Sequence, residues 1–348
     1  MITNIKESSI DKHKSILLVG IGKTNKYFME IVQPESIDEA EKYFGDSNLT
    51  QSYKIMLDVG AEAQNIYIVN IENIRDYLEL SQHIYTYDFS YIVPLDIYIS
   101  EYFYDPTQNG RRTYYLQYLL QHVCKEYQNH SIIIATDAHA SLYEDIDAFL
   151  EDMQDKNASF KSNKMTNEYF ERILFTMNNI KDIEFANAVL AAAITTSDVN
   201  EYPSIPDALN LRAIFDIDVT DHIDDLIFFK SHIDNSITIE NLLSLYRDTN
   251  PIKIFFIYRI LLYIAKELDF TKFIGSKYFP YKVQQIQQIV ENYLSSIIGY
   301  IITDYRINQV YATEDPYHPA TVIITLKYEV APIGCNERFI QQTLQVSA

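Results

Sequence analysis

Near residue 299 the apolar residues of this chain change their period from 3.6 to 2, a helix followed by strands. Val283, Ile286, Val290, Tyr293, Leu294, Ile297 and Ile298 recur at three- and four-residue spacing, with Gln284, Gln285, Gln287, Gln288 and Glu291 largely on the other side. That spacing predicts an amphipathic helix, and Gly299 is placed to stop it. Val322, Ile324, Leu326, Tyr328 and Val330 then alternate with Ile323, Thr325, Lys327 and Glu329, which is strand patterning ended by Pro332. Residues 306–312 are the expected partner strand, across the turn-rich stretch TEDPYHP. Upstream, residues 254–268 (IFFIYRILLYIAKEL) are apolar nearly all round, a helix for the middle of a core and too short and charged to span a bilayer. The tail NERFIQQTLQVSA puts Ile340, Gln342, Leu344 and Val346 on one strand face. Such a tail gains stability only by adding to a sheet edge, its own or a neighbour's.

The first two hundred residues follow a different pattern. Residues 1–14 are polar with isolated Ile2, Ile5 and Ile10, and read as an arm. Buried strands are expected at 15–20 (SILLVG), 65–71 (NIYIVNI), 89–93 (FSYIV) and 131–136 (SIIIAT), separated by helices over 36–43, 49–58 and 112–127. Ser36 and Glu39 form a capping box for the first of these helices, and Gly45 and Gly60 end the first two. Strands spaced by helices imply right-handed crossovers and a mainly parallel sheet. Residues 142–179 read as helical and polar, with an acidic, solvated face at Glu144, Asp145, Asp147, Glu151, Asp152 and Asp155. NAVLAAAIT (187–195) is small and apolar, suited to close packing, and SDVNEYPSIPDA (197–208) is the expected domain boundary.

Charge narrows the partners. With 28 Lys+Arg against 48 Asp+Glu, the formal net charge is −20, which argues against nucleic acid or an anionic membrane as the main partner. Identical copies must then hide or pair charge wherever they touch. Tyrosine, at 29 residues, suits extended contact surfaces. Cys124 and Cys335 fit no metal or redox spacing and are expected to be free thiols of a protein made in the cytosol. The N-terminus lacks the apolar core of a signal peptide.

Three constellations invite a chemical reading. Gly20-Ile21-Gly22-Lys23-Thr24 follows a strand, but a phosphate loop needs a glycine five residues before Gly22, where Leu17 stands inside the strand. An ordinary strand-ending turn is expected. Asp137-Ala138-His139 follows a strand as the first metal ligands of metallophosphoesterases do, yet Gly45-Asp46 lies upstream and no Gly-Asn-His follows. An Asp capping the next helix beside a surface His is the expectation. His222 and His232 flank the apolar run LIFF and read as structural, and no serine or cysteine sits in a nucleophile motif. No catalytic site, cofactor or metal is expected.

The order YRILLYIAKEL, a loop, an amphipathic helix ending in IIGY, a strand pair and KYEVAPIGCNERFIQQTLQV resembles the C-terminal domain of contractile tail sheath proteins. Those proteins form the contracting sleeve of phage tails, R-type bacteriocins and related injection machines. The first strand, ESIDEAEKYFG and VGAEAQNIYIVNI are similar to the family's inserted α/β domain, with Ala61-Glu62-Ala63 and Asn70 where relatives often carry a Gly-rich turn and an Arg. Lys277-Tyr278-Phe279-Pro280 lacks an Asn found in some relatives. The resemblance implies an α+β protein: an arm (1–14), an α/β domain with a mainly parallel sheet (15–200), a sheath-type α+β domain (201–335) and a C-terminal arm strand (336–348). It implies no enzymatic role, helical self-assembly, and contacts with an inner tube protein, baseplate and tail terminator, in a virion tail or injection particle assembled in the bacterial cytoplasm. Neither nucleic acid nor direct membrane insertion is expected. Ile2, Ile5, Phe339, Ile340, Leu344 and Val346 would make the arm contacts between subunits, and Lys272, Lys277 and Lys282 would face the tube. The alternatives are a metal-dependent phosphoesterase on the α/β domain and a non-contractile baseplate or tail-completion protein.

Overall fold

The run SILLVG becomes β1 (Ile16–Ile21), whose first five residues are buried, in the interior of an eight-stranded sheet. The computed structural model describes residues 10–24, 26–84, 87–105, 110–123, 131–162, 172–217, 225–234, 236–245, 255–268, 270, 281–314, 322–334 and 339–347. The chain divides into two compact units, residues 1–198 with 202–255, and 199–201 with 256–348.

The first unit holds β1, β2 (Ile31–Val32), β3 (Ile66–Ile71), β4 (Tyr91–Pro94), a separate hairpin of β5 (Tyr102–Asp105) and β6 (Arg111–Tyr114), β7 (Ile132–Ala135), β8 (Ile173–Thr176), β9 (Leu226–Ser231) and β10 (Ile237–Glu240). The large sheet runs β10-β9-β8-β7-β4-β1-β3-β2. Its six inner strands are mutually parallel, while β10 and β2 pair antiparallel at the two edges. The inner strands are runs of Ile, Leu, Val and Phe because a sheet covered on both faces has no wet side. One face carries α3 (Asp76–Ile84), α4 (Tyr115–Val123) and α5 (Ile146–Ser162), whose Leu80, Leu119, Phe149 and Phe160 share a core with Leu17, Val69, Ile133 and Phe175. Against the other face pack α2 (Asn48–Val59) and α6 (Ala186–Thr196), which also touch each other. The small residues of α6, all buried up to Thr195, permit that close approach, and Asn187 Nδ2 donates to Pro94 O (2.9 Å) and Ile134 O (3.0 Å), bridging β4 and β7.

Half of the capping box forms at α1 (Ile37–Phe44): Ser36 Oγ accepts from Glu39 N at 3.3 Å, while the Glu39 carboxylate accepts from Glu35 N, one residue before the cap, at 2.8 Å. Three expectations are corrected. The stretch 142–179 is not helical throughout; α5 ends at Ser162 and Ile173–Thr176 is β8, a fully buried inner strand. Its run ILFT is too short to display a period, so only its neighbours in space define it. The helix expected over 112–127 begins at Tyr115, because Arg111–Tyr114 pairs with β5 instead. The boundary expected at residue 200 falls near 255, because β9 runs parallel to β8 and extends the first unit's sheet.

The second unit holds α7 (Phe255–Glu267, its first residue in the other unit), α8 (Tyr281–Ser296), β11 (Ile302–Glu314), β12 (Val322–Pro332) and β13 (Phe339–Ser347). The three strands form an antiparallel sheet in the order β11-β12-β13. Ile324, Leu326, Tyr328 and Val330 are buried and Thr325, Lys327 and Glu329 half-buried, as the period of 2 requires. The buried stripe of α8 is Ile286, Val290 and Leu294, and the helix packs on β11. Ile298, expected on that stripe, lies two residues past the helix end and is exposed. Gly299, at φ 81°, takes the left-handed conformation that turns the chain into β11.

Candidate assembly site

The terminal strand β13 completes the small sheet, running from Phe339 opposite Val330 to Ser347 opposite Ile323. Its register shifts between Ile324 and Leu326, which places Leu344 in the irregularity and sets Ile340 opposite Glu329 and Val346 opposite Ile324. Phe339, Ile340, Leu344 and Val346 are therefore all part of a strand held through one edge of β12. Ile2 and Ile5 lie outside the described residues, as do Lys272 and Lys277. Lys282 is only 7% exposed. It precedes Ile286 by four residues and so shares the buried stripe of α8, a placement that corrects its reading as a surface cation.

The loops at the carboxyl ends of the parallel strands are the second place where function could sit. In the turn after β1, Ile21 N donates to Asp96 Oδ2 (3.0 Å), Gly22 N to Asn70 Oδ1 (2.8 Å) and Lys23 N to Phe44 O (2.8 Å). The N–H groups that a phosphate would need already have acceptors, one of them a carboxylate. Gly22 is required by packing, since a Cβ there would lie 2.9 Å from Asn70 Oδ1. Asn70 Nδ2 also donates to Thr24 O (2.7 Å) and Lys26 O (3.2 Å), so this buried amide pins the turn on both sides.

Asp137 does not cap a helix. Its carboxylate, 1% exposed, meets Lys156 Nζ at 2.6 Å and accepts from Ser100 N (3.0 Å) and Ala138 N (2.7 Å). Lys156 also pairs with Asp152 at 2.8 Å. Burial acts to lower the Lys156 pKa, but its hydrogen bonds to Asp137 and Asp152 outweigh that and raise it. Burial raises the Asp152 pKa, and the Lys156 and Tyr143 hydrogen bonds reverse it to a net lowering. His139 donates from Nε2 to Ile180 O (3.0 Å), which fixes its tautomer and turns Nδ1 toward Ser141 (2.7 Å). His232 Nε2 lies 2.8 Å from Thr238 Oγ1 on the β9–β10 hairpin, and His222, Cys124 and Cys335 lie outside the described residues. Among the described residues no group of three or more His, Cys, Asp or Glu is placed to hold a metal, and no helix is long and apolar enough to cross a membrane.

Where the connection after β3 faces the loop after β4, Ile21, Asn73, Arg75, Glu101, Tyr102 and Tyr115 line an open cleft of about 680 Å³, together with Glu72, Ile74 and Ser100. Glu101 is half-buried there, and desolvation raises its pKa. Beside it stands the β5–β6 hairpin, on which Tyr102, Tyr104, Arg112 and Tyr114 share one face and the Arg112 guanidinium lies 3.8 Å from the centre of the Tyr102 ring. Sequence reasoning did not find this aromatic and basic face, because it exists only once two short strands pair.

The fold of this chain is similar to those of solved sheath proteins. The helical sheath of the anti-feeding prophage in its contracted state aligns with 99% of this chain and 98% of its own, with a TM-score of 0.64 and 9% identity. The sheath of an extracellular contractile injection system, the PVC sheath complex in its contracted state, aligns over 99% and 93% with a TM-score of 0.62 and 12% identity. A sheath tail protein from Listeria innocua aligns over 95% and 94% with a TM-score of 0.64 and 10% identity. No protein-family model matches the sequence, and no curated protein matches it.

Proposed function

We propose that this chain is the structural subunit of a contractile sheath, polymerising helically around an inner tail tube and shortening to drive that tube through a target cell envelope. The observation that carries the reading is β13, the last strand of the chain, held in its sheet along one edge of β12. The β12 of a second copy offers the same register and the same main-chain hydrogen bonds. Exchange therefore costs little beyond connection entropy and ties each body to the next. Phe339, Ile340, Leu344 and Val346 make that contact, and the N-terminal arm with Ile2 and Ile5 makes a second one. A mesh of exchanged strands keeps its connectivity while the globular bodies rotate and repack, so the sheath shortens without dissociating. The driving energy is the additional surface buried between bodies in the short state. No nucleotide is required, in keeping with the occupied N–H groups of the GIGKT turn. Tube contact falls to Lys272 and Lys277, with Lys282 holding the interior of the subunit; baseplate and terminator proteins close the two ends of a particle built in the bacterial cytoplasm. The phosphoesterase alternative is disfavoured by the ion pair that occupies Asp137.

Removal of residues 338–348 tests the reading. The truncated chain is expected to stay soluble and monomeric at concentrations where the full chain forms tubes. Normal tubes from the truncation would refute strand exchange, and discrete closed rings from the full chain would favour a baseplate component.

A further inference from the structure

The β5–β6 hairpin and the start of α5 are complementary surfaces that one copy cannot bring together. On the hairpin, Tyr102 and Tyr104 are exposed, Tyr104 by 67%, beside exposed Arg112 on the same face. Tyr102 also lines the cleft that holds Arg75. Tyr and Arg are the side chains over-represented where protein interfaces concentrate their energy, and this cationic face stands out on a chain of net charge −20. The first turns of α5 and the loop before it have the opposite character: Glu144, Asp147 and Glu151 are exposed, and Leu142 is 75% exposed.

Helix α5 keeps these surfaces apart. Its far end is fixed under the hairpin, where the Phe160 ring packs 5.3 Å from Tyr114 and Phe160 O accepts from Gln117 Nε2 at 3.0 Å. From Phe160 back to Asp147 is thirteen residues, which at ~1.5 Å each is ~20 Å of rigid helix. That exceeds the screening length of about 8 Å at physiological salt, so the two charged surfaces scarcely feel each other within a copy. We infer that the face formed by Tyr102, Tyr104 and Arg112 receives residues 142–151 of a second copy, head to tail. The two patches differ, so the contact is heterologous and each copy leaves one of each open; such a contact, unless it closes into a ring, propagates as a helix. This deepens the sheath reading by naming a contact between globular bodies that is independent of the arms.

Charge reversal tests it. The variant Arg112→Glu has both surfaces negative, and Glu144→Lys/Asp147→Lys/Glu151→Lys has both positive; Arg111 is left alone because it lies on the other side of the hairpin opposite Asp105, and Asp145 because it caps α5 through Ala148 N at 2.8 Å. Each variant by itself should need at least about tenfold more protein to assemble, with circular dichroism unchanged and the melting temperature lowered by only a few degrees, because Arg112 gives up its stack on Tyr102 and Asp147 its place in the first turn of α5. An equimolar mixture should assemble again, because every hairpin then meets an oppositely charged helix. Assembly of either variant at the wild-type concentration, or a mixture no better than its components, would overturn the contact. The sheath reading fails separately: if the wild type forms no tubes, sedimentation of the mixture still reads the contact. A salt-sensitive one-to-one complex upholds it, and two non-interacting monomers refute it.

Discussion

Replacing Lys156 with Met leaves the Asp137 carboxylate, 1% exposed, with two backbone donors and no counter-ion. Removing one partner of a buried pair typically costs about 3–5 kcal/mol. The Lys156 side chain is 21% exposed and Asp137 keeps Ser100 N and Ala138 N, so a loss of about 2–4 kcal/mol is expected here. Asp137→Asn should cost less, about 1–3 kcal/mol, since the amide still accepts one backbone hydrogen bond. The double variant should lose less than the sum, by about 1–3 kcal/mol, because the second change removes the stranded charge left by the first. Urea unfolding followed by circular dichroism measures all three, with the first transition assigned to the α/β unit by limited proteolysis. Asp137 is a structural anion that fastens the loop after β7 to α5. A site carboxylate held ready for a ligand behaves oppositely, and its neutralisation leaves stability unchanged or raises it. An Asp137→Asn protein as stable as the wild type, with strictly additive effects in the double variant, would refute the structural assignment.

Two further perturbations follow from the same geometry. Asn70→Ala removes three hydrogen bonds and leaves Gly22 N and two carbonyls without partners, so a loss of about 1–3 kcal/mol is expected, with earliest amide exchange in residues 20–24. The net lowering of the Asp152 pKa fixes the sign of an acid effect: its contribution is fully present above the unfolded carboxylate range and is lost as pH falls through the lowered native value. Asp152→Asn should therefore narrow the gap between stability at pH 6 and pH 3, and a difference identical to the wild type's would contradict it.

Local signals carried much of the fold. The Ser36 cap of α1, the buried runs of β1 and β3 and the change of period between α8 and β12 were legible because burial patterns and caps are properties of consecutive residues. What escaped is non-local. β8 is four residues long, and β5 and β6 gain meaning only by pairing across residues 106–109. β9 belongs with the first unit because β8 lies beside it, a fact no composition shift near residue 200 could announce. The candidate surfaces divide in the same way. The terminal strand was visible from its position, but the single face expected for it does not form: the register shift sets Ile340 opposite Glu329 and Val346 opposite Ile324, which lie on different faces of β12, so Ile340 and Val346 do not share one. Lys282 was misplaced through its lysine neighbours although its spacing from Ile286 already put it on the buried stripe. The Tyr102–Arg112 stack could not be seen, since its members are ten residues apart and meet only across a hairpin.

Negative-stain electron microscopy of the purified full-length chain, with size-exclusion chromatography beside it, tests the central claim most directly. Long, hollow, ridged tubes eluting in the void volume are the expected result for a sheath subunit that carries its own polymerisation surfaces. A monomer or small closed oligomer that stays so at high protein concentration would contradict it.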